Sequence, residues 1–170
     1  GNKSKFGIHH TKIDEILETA AKYDLKIIGL HEHTGSGINS PEDLLNAMKH
    51  LIGTASSFRD LEFLDFGGGY GIPYKPEDEK LDIENIGREA ARLFETFCGE
   101  YGKKLTLAIE PGRFPVAESG YLLARVNTVK TNSSRKFIGI DTGFNHLVRP
   151  SMYGSYHEIV NASNMDGKKE

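Results

Sequence analysis

Four glycines in five positions, Gly67, Gly68, Gly69 and Gly71, follow directly on an apolar run made by Leu61, Phe63, Leu64 and Phe66. An apolar run of that length bounded by glycines predicts a buried strand that empties into a loop. Such a loop can turn sharply and bring its backbone close to something else, because no Cβ atoms stand in the way. Its N–H groups can converge into a concave nest that suits a phosphate, and a plain flexible turn accounts for the run equally well. The spacing is neither G-x-G-x-x-G nor G-x-x-x-x-G-K-[ST], so the common nucleotide fingerprints are missing.

The flanking sequence predicts what this strand belongs to. Thr11 is placed to cap a first helix in which Ile13, Ile16, Leu17, Ala20 and Ala21 share one face. Leu25, Ile27, Ile28 and Leu30 predict a buried strand ending in HEHTGSG, and Ser40-Pro41, followed by Glu42 and Asp43, opens a second helix. After the glycines and a polar Pro-Tyr-Lys-Pro loop, Ile83, Ile86, Ala90, Leu93, Phe94 and Phe97 mark a third helix that Gly102 can end. Leu105, Leu107 and Ile109 then lead into Glu110-Pro111-Gly112-Arg113. Helix and strand alternate, and every strand ends in polar or glycine-rich residues. That is the order of a (β/α) barrel or an open parallel sheet, whose sites gather at the carboxyl ends of the strands.

Only three such units are legible in 170 residues, whereas a closed barrel takes about 250. The expectation is therefore a partial barrel over residues 1–115. From about Val116 the texture changes to β-prone runs, 121–129 and 137–140, with a polar break at 131–136, so 116–170 reads as the start of a β-rich domain. Neither end resembles a natural terminus, and the chain reads as a fragment.

Composition narrows the classes of partner. A net charge of −3 with interspersed signs gives no footprint for nucleic acid or an anionic membrane, and no apolar run has the length of a membrane span. With no hydrophobic leader in GNKSKFGIHH, the cytoplasm is the default location. The single cysteine, Cys98, excludes an internal disulfide framework and reads as a structural thiol beside Phe94 and Phe97.

The strand ends carry the candidate chemistry. His31 and His33 are two apart and would face one side of a strand, as a metal pair, as a ring lying against a planar ligand with Ser36 nearby, or as histidines satisfied in the core. Glu110, between an apolar strand and Pro-Gly, is either an ion-pair partner of Arg113 or an anionic partner for a protonated heterocycle. Together, a ring-stacking His, a phosphate nest and a carboxylate for a ring nitrogen describe a pocket for pyridoxal 5′-phosphate.

At that point the motifs become specific as a set. HEHTGSG, LDFGGGYG, AIEPGR and DTGFNHLVRPSMYGSYHEI, preceded by SKFGI at 4–8, resemble the ordered motifs of the fold-type III pyridoxal-phosphate decarboxylases, with an alanine racemase-like TIM barrel followed by a β domain. The last motif points, within that family, to the members that convert meso-diaminopimelate to L-lysine and carbon dioxide. The resemblance implies that His33 stacks on the cofactor ring, that Ser36, Gly68 and Gly69 hold the phosphate, and that Glu110 pairs with the pyridine nitrogen. Pro111, Gly112 and Arg113 fall in the same cofactor loop. Arg113, Arg149 and Tyr153 would meet the substrate, a guanidinium and a phenol gripping a distal carboxylate together. It further implies a homodimer and no metal.

Two family features are missing from this stretch. No lysine follows an apolar strand in the setting expected of the Schiff-base residue, and the late Cys-Glu-Ser type motif is absent, so this chain alone is expected to be inactive. Related family members act on ornithine, arginine, carboxynorspermidine or carrier-bound amino acids. An inactive regulatory homologue and a metal hydrolase built on His31 and His33 are the readings from other classes.

Overall fold

The computed structural model describes residues 5–167, so Ser4 of the SKFGI motif and the last three residues lie outside it. The chain divides into two compact units, Gly1–Ile72 with Glu79–Ala117, and Pro73–Asp78 with Glu118–Glu170.

The first unit is built on β1 (Gly29–His31), β2 (Phe63–Asp65) and β3 (Thr106–Ala108), paired in parallel and in that order, with Leu30 opposite Leu64 and Leu64 opposite Leu107. Parallel neighbours need crossovers, and α2 (Pro41–Ala55) and α3 (Ile83–Tyr101) supply them. Their apolar stripes bury Leu44, Met48, Leu51 and Ala55 from one helix, and Ile86, Ala90, Phe94 and Phe97 from the other. These pack in one cluster with Leu61, Leu64, Phe66 and Leu105. Each Leu, Ile, Met or Phe side chain among them contributes about 1.5–3 kcal/mol by leaving water, which makes this cluster the anchor of the unit. Cys98 lies half-buried on α3 at its margin.

The helix ends show why the segments start and stop where they do. Ser40 Oγ accepts the Asp43 N–H at 3.1 Å ahead of Pro41, as its sequence predicts. Asp82 Oδ1 accepts the Asn85 N–H at 3.0 Å, and Gly102 ends α3 in the left-handed region at φ 77°. The first helix differs from its expectation. Thr11 sits inside a 3-10 turn, His10–Lys12, where its own N–H and hydroxyl meet His9 Nδ1, and α1 (Ile13–Lys22) begins after it without a side-chain cap.

The strand expected from Leu25 is also shorter. Asp24 turns left-handed at φ 51°, its N–H bonds Ala21 O, and the Leu25 N–H bonds Ala20 O at 2.8 Å, a Schellman closure of α1. With its amide spent on the helix, Leu25 cannot enter the ladder, and it and Ile28 are exposed. β1 therefore carries only its last three residues before the polar loop.

In the second unit, β4 (Val126–Asn132) and β5 (Arg135–Ile140) form an antiparallel hairpin, followed by the short α4 (Arg149–Tyr153). The polar residues 131–136 do not interrupt the β structure. Strand pairing runs to Asn132 opposite Arg135, and the turn is only Ser133-Ser134, with Ser133 at φ 55°. Residues 121–125 stay outside the ladder.

Candidate active site

Because the three strands are parallel, the segments following β1, β2 and β3 emerge at one rim of the sheet. The glycine loop is wedged between its neighbours. A Cβ at Gly67 would lie 2.0 Å from Glu32 O, one at Gly68 would lie 2.0 Å from Glu110 O, and one at Gly69 would lie 2.3 Å from Gly35 O. Gly67 and Gly69 also hold φ of 62° and 97°, so both space and backbone conformation require glycine. The loop is stitched in on both sides: Glu110 N–H donates to Gly67 O at 2.7 Å, Ile38 N–H to Gly69 O at 2.8 Å, and Gly71 N–H to Ile38 O at 2.9 Å.

These bonds decide which amides remain open. Asp65 Oδ1 takes the Gly67 N–H at 2.9 Å, and His33 Nδ1 takes the Gly68 N–H at 3.3 Å. With Gly71 spent on Ile38, only the Gly69 amide of the four has no partner among the described residues. A fully convergent nest is thus not what the run forms. It makes a Cβ-free cradle with one open amide, in which Gly68 is bare and its N–H is taken. Accepting that bond leaves His33 Nδ1 without a proton and fixes the orientation of an otherwise exposed ring.

The two histidines part company here. His31 Nε2 lies 2.9 Å from Glu110 Oε2, with both side chains about half exposed, leaving the second Glu110 oxygen for another partner. Glu110 therefore pairs with His31, while Arg113 Nη2 donates to Ser36 Oγ at 3.3 Å. His31, Asp65 and Glu110 offer ligand atoms within 4.8 Å of one another, a set with the composition of a cation site that sequence reasoning did not assemble. The bond to His31 and the Gly67 amide already account for these carboxylates. Pro111, Gly112 and Arg113 form the turn after Glu110, closed by Phe114 N–H on Pro111 O at 3.1 Å. Ser36, Gly69 and Arg113 thus come together on the loops that flank the cradle.

Glu32 projects from the same rim. Its Oε1 is buried without a hydrogen-bond partner among the described residues, and burial pushes its carboxyl up to about 7 against the opposing pull of His31. Tyr70 is raised by burial, then by Asp65 and Glu32, which share its surroundings.

Arg149 and Tyr153 stand four apart on α4 in the second unit, the guanidinium half-buried and the phenol largely exposed. Arg149 Nη1 donates to the Tyr74 hydroxyl. Sequence reasoning passed over Asp65 and Tyr74. An Asp two residues before a glycine is a recognised turn signal that could have found the first, and nothing local marks the second.

Residues 1–117 match the family model described as pyridoxal-dependent decarboxylase, pyridoxal binding domain. A protein of Methanothermobacter thermautotrophicus named diaminopimelate decarboxylase is 44% identical over 166 residues, covering 94% of this chain and 39% of that protein. A solved structure titled as diaminopimelate decarboxylase superposes with a TM-score of 0.87 at 37% identity, over 94% of this chain and 38% of the other. The Helicobacter pylori enzyme of that name, solved with L-lysine, gives a TM-score of 0.81 at 31% identity, over 93% of this chain and 39% of its own. This chain therefore spans about two fifths of the length of the relatives it matches.

Proposed function

The chain belongs to the pyridoxal-dependent decarboxylases, and on that premise we propose that its protein removes one carboxylate of meso-diaminopimelate, releasing carbon dioxide and L-lysine. The observation that carries the reading is the geometry of the rim. A cradle that any Cβ would fill lies against the backbone of Glu110, between loops bearing His33, Ser36 and Arg113. The relatives named above support the choice of substrate.

Pyridoxal 5′-phosphate, when bound, supplies an electron sink for the pair left behind as carbon dioxide departs. The chain's own groups hold and tune that sink. Gly69 N–H and Ser36 Oγ would take the phosphate, with Arg113 steadying Ser36 and Pro111 and Gly112 shaping the loop. Gly68 gives the closeness of approach. His33, oriented by the Gly68 amide, would lie against the ring. Glu110, one oxygen on His31, would use the other to keep the ring nitrogen protonated, because a carboxylate beside it favours the charged form.

Arg149 and Tyr153 would grip the carboxylate at the far end of the substrate, and Arg113 would also meet the substrate. The family resemblance extends the proposal to a cytoplasmic homodimer, and sedimentation of the purified protein tests the dimer. Among the described residues no helix is long and apolar enough to cross a membrane.

The test is carbon dioxide release by the full encoded chain from meso-diaminopimelate, ornithine and lysine. Strong preference for the first is expected. Preference for a substrate without the second carboxylate would overturn the assignment of Arg149.

A further inference from the structure

The second unit contains a polar cluster in which only Arg149 has an assigned role. It joins residues 73–78, the segment after the glycine loop, to α4 and the irregular stretch that follows it. Asp78 Oδ2 accepts the N–H groups of Tyr74 and Lys75 at 2.9 and 3.0 Å, and Asp78 N–H donates to Lys75 O at 3.1 Å. Those two amides hold the Asp78 carboxyl below its usual range, and in return the carboxylate fixes the Tyr74 backbone. The Lys75 ammonium lies 5.8 Å from the centre of the Tyr156 ring, a second tie between the same two segments.

What this clamp presents is the Tyr74 side chain. Its hydroxyl accepts a hydrogen bond from Arg149 Nη1, and the guanidinium carbon lies 5.2 Å from the ring centre. His157 packs edge-on against the same ring, with centroids 5.9 Å apart, and its Nε2 is buried without a partner among the described residues. Tyr74 is thus held by its backbone on one side and by His157 on the other, and it touches the half-buried Arg149 through both its hydroxyl and its ring.

A guanidinium has five N–H donors in a rigid plane, so one bond to a fixed acceptor orients the remainder. Left to itself, an arginine loses several rotatable bonds' worth of freedom when it closes on a ligand, and that loss weakens binding. We propose that Tyr74 is a positioning residue that pre-orients Arg149 to receive the distal carboxylate, and so contributes to selection of a dicarboxylic amino acid over one ending in an amine. This rests on the assignment of Arg149 to that carboxylate made above. Tyr74 does not itself meet the substrate; it acts through Arg149.

Steady-state kinetics on meso-diaminopimelate with the full encoded chain, comparing wild type, Tyr74→Phe, Arg149→Ala and the double variant, tests this. Phe keeps the ring against His157 and Arg149 and removes only the hydroxyl, so the fold is retained. The expected result for Tyr74→Phe is a KM raised about tenfold, the scale of one hydrogen bond to a charged group, with kcat within about twofold. In the Arg149→Ala background the same change should have no further effect on kcat/KM.

Wild-type KM in Tyr74→Phe, beside a raised KM in Arg149→Ala, would overturn the positioning role and leave Arg149 as the carboxylate ligand. A fall in kcat at unchanged KM would equally overturn it, as the mark of a merely structural residue. Unchanged kinetics in Arg149→Ala would remove the assignment beneath the proposal, and the proposal with it.

Discussion

Replacing Gly68 with alanine tests the cradle at its tightest point. The new Cβ would stand 2.0 Å from the Glu110 carbonyl oxygen and 3.1 Å from its carbon. A carbon approaches a carbonyl oxygen no closer than about 3.3 Å without cost, so the Glu110 backbone must retreat by more than about 1 Å. It cannot do so freely, because the Glu110 amide is bonded to Gly67 O at 2.7 Å and the side chain to His31 at 2.9 Å. Overpacking of this kind costs about 1–3 kcal/mol of stability. A displacement of about 1 Å in a group that orients the reacting centre costs on the order of 100-fold in rate.

Cofactor absorbance and carbon dioxide release by the full encoded chain are the assays, with Gly99→Ala as the control. Gly99 lies exposed within α3 with nothing within 4 Å of the added atom, so there alanine should stabilise by up to about 1 kcal/mol and leave the chemistry alone. Wild-type cofactor affinity and turnover in Gly68→Ala would refute the reasoning, because the Cβ would have found room that the geometry denies.

Two further predictions concern the rim. Glu110→Ala should leave pyridoxal 5′-phosphate bound, since the phosphate contacts lie elsewhere, yet lower kcat by several orders of magnitude; turnover near wild type would refute its role at the ring nitrogen. Glu32, with a folded-state pKa of about 7 against 4.5, keeps its proton where the unfolded chain has lost it. Folded protein then binds more protons between pH 4.5 and 7, so this group's contribution to stability falls as pH rises through that window. Glu32→Gln should therefore gain on wild type by about 1 kcal/mol between pH 5 and pH 8 in denaturant titrations, a figure reduced because the side chain is only partly shielded from solvent. A pH-independent difference would contradict it.

The parts of the fold readable from the amino acids were those set by local chemistry. Ser40-Pro41 and Gly102 bracket α2 and α3 through bonds made within a few residues, and the apolar stripes between them leave little choice of face. Leu25 misled because its side chain is strand-like while its amide is claimed by the Schellman closure around Asp24. Similarly, 131–136 looks like a break by polarity, but a two-residue turn at Ser133 needs little room.

At the rim, the glycine run marks a tightly constrained loop, but the constraint is not a nest of converging amides. Its residues are bare chiefly because the Glu32, Gly35 and Glu110 carbonyls crowd it from both sides, which no single stretch of sequence displays. His31 and His33 are near neighbours in sequence, yet one meets a carboxylate 79 residues away and the other an amide 35 away. Tyr74 was illegible for a like reason: its partners, Arg149 and His157, lie far along the chain.

The most direct test of the whole account is a crystal structure of the full encoded chain with pyridoxal 5′-phosphate. It should place the phosphate on the Gly69 amide and the Ser36 hydroxyl, and the ring nitrogen within hydrogen-bond distance of the Glu110 carboxylate. A phosphate bound away from the glycine loop, or a ring nitrogen turned from Glu110, would contradict it.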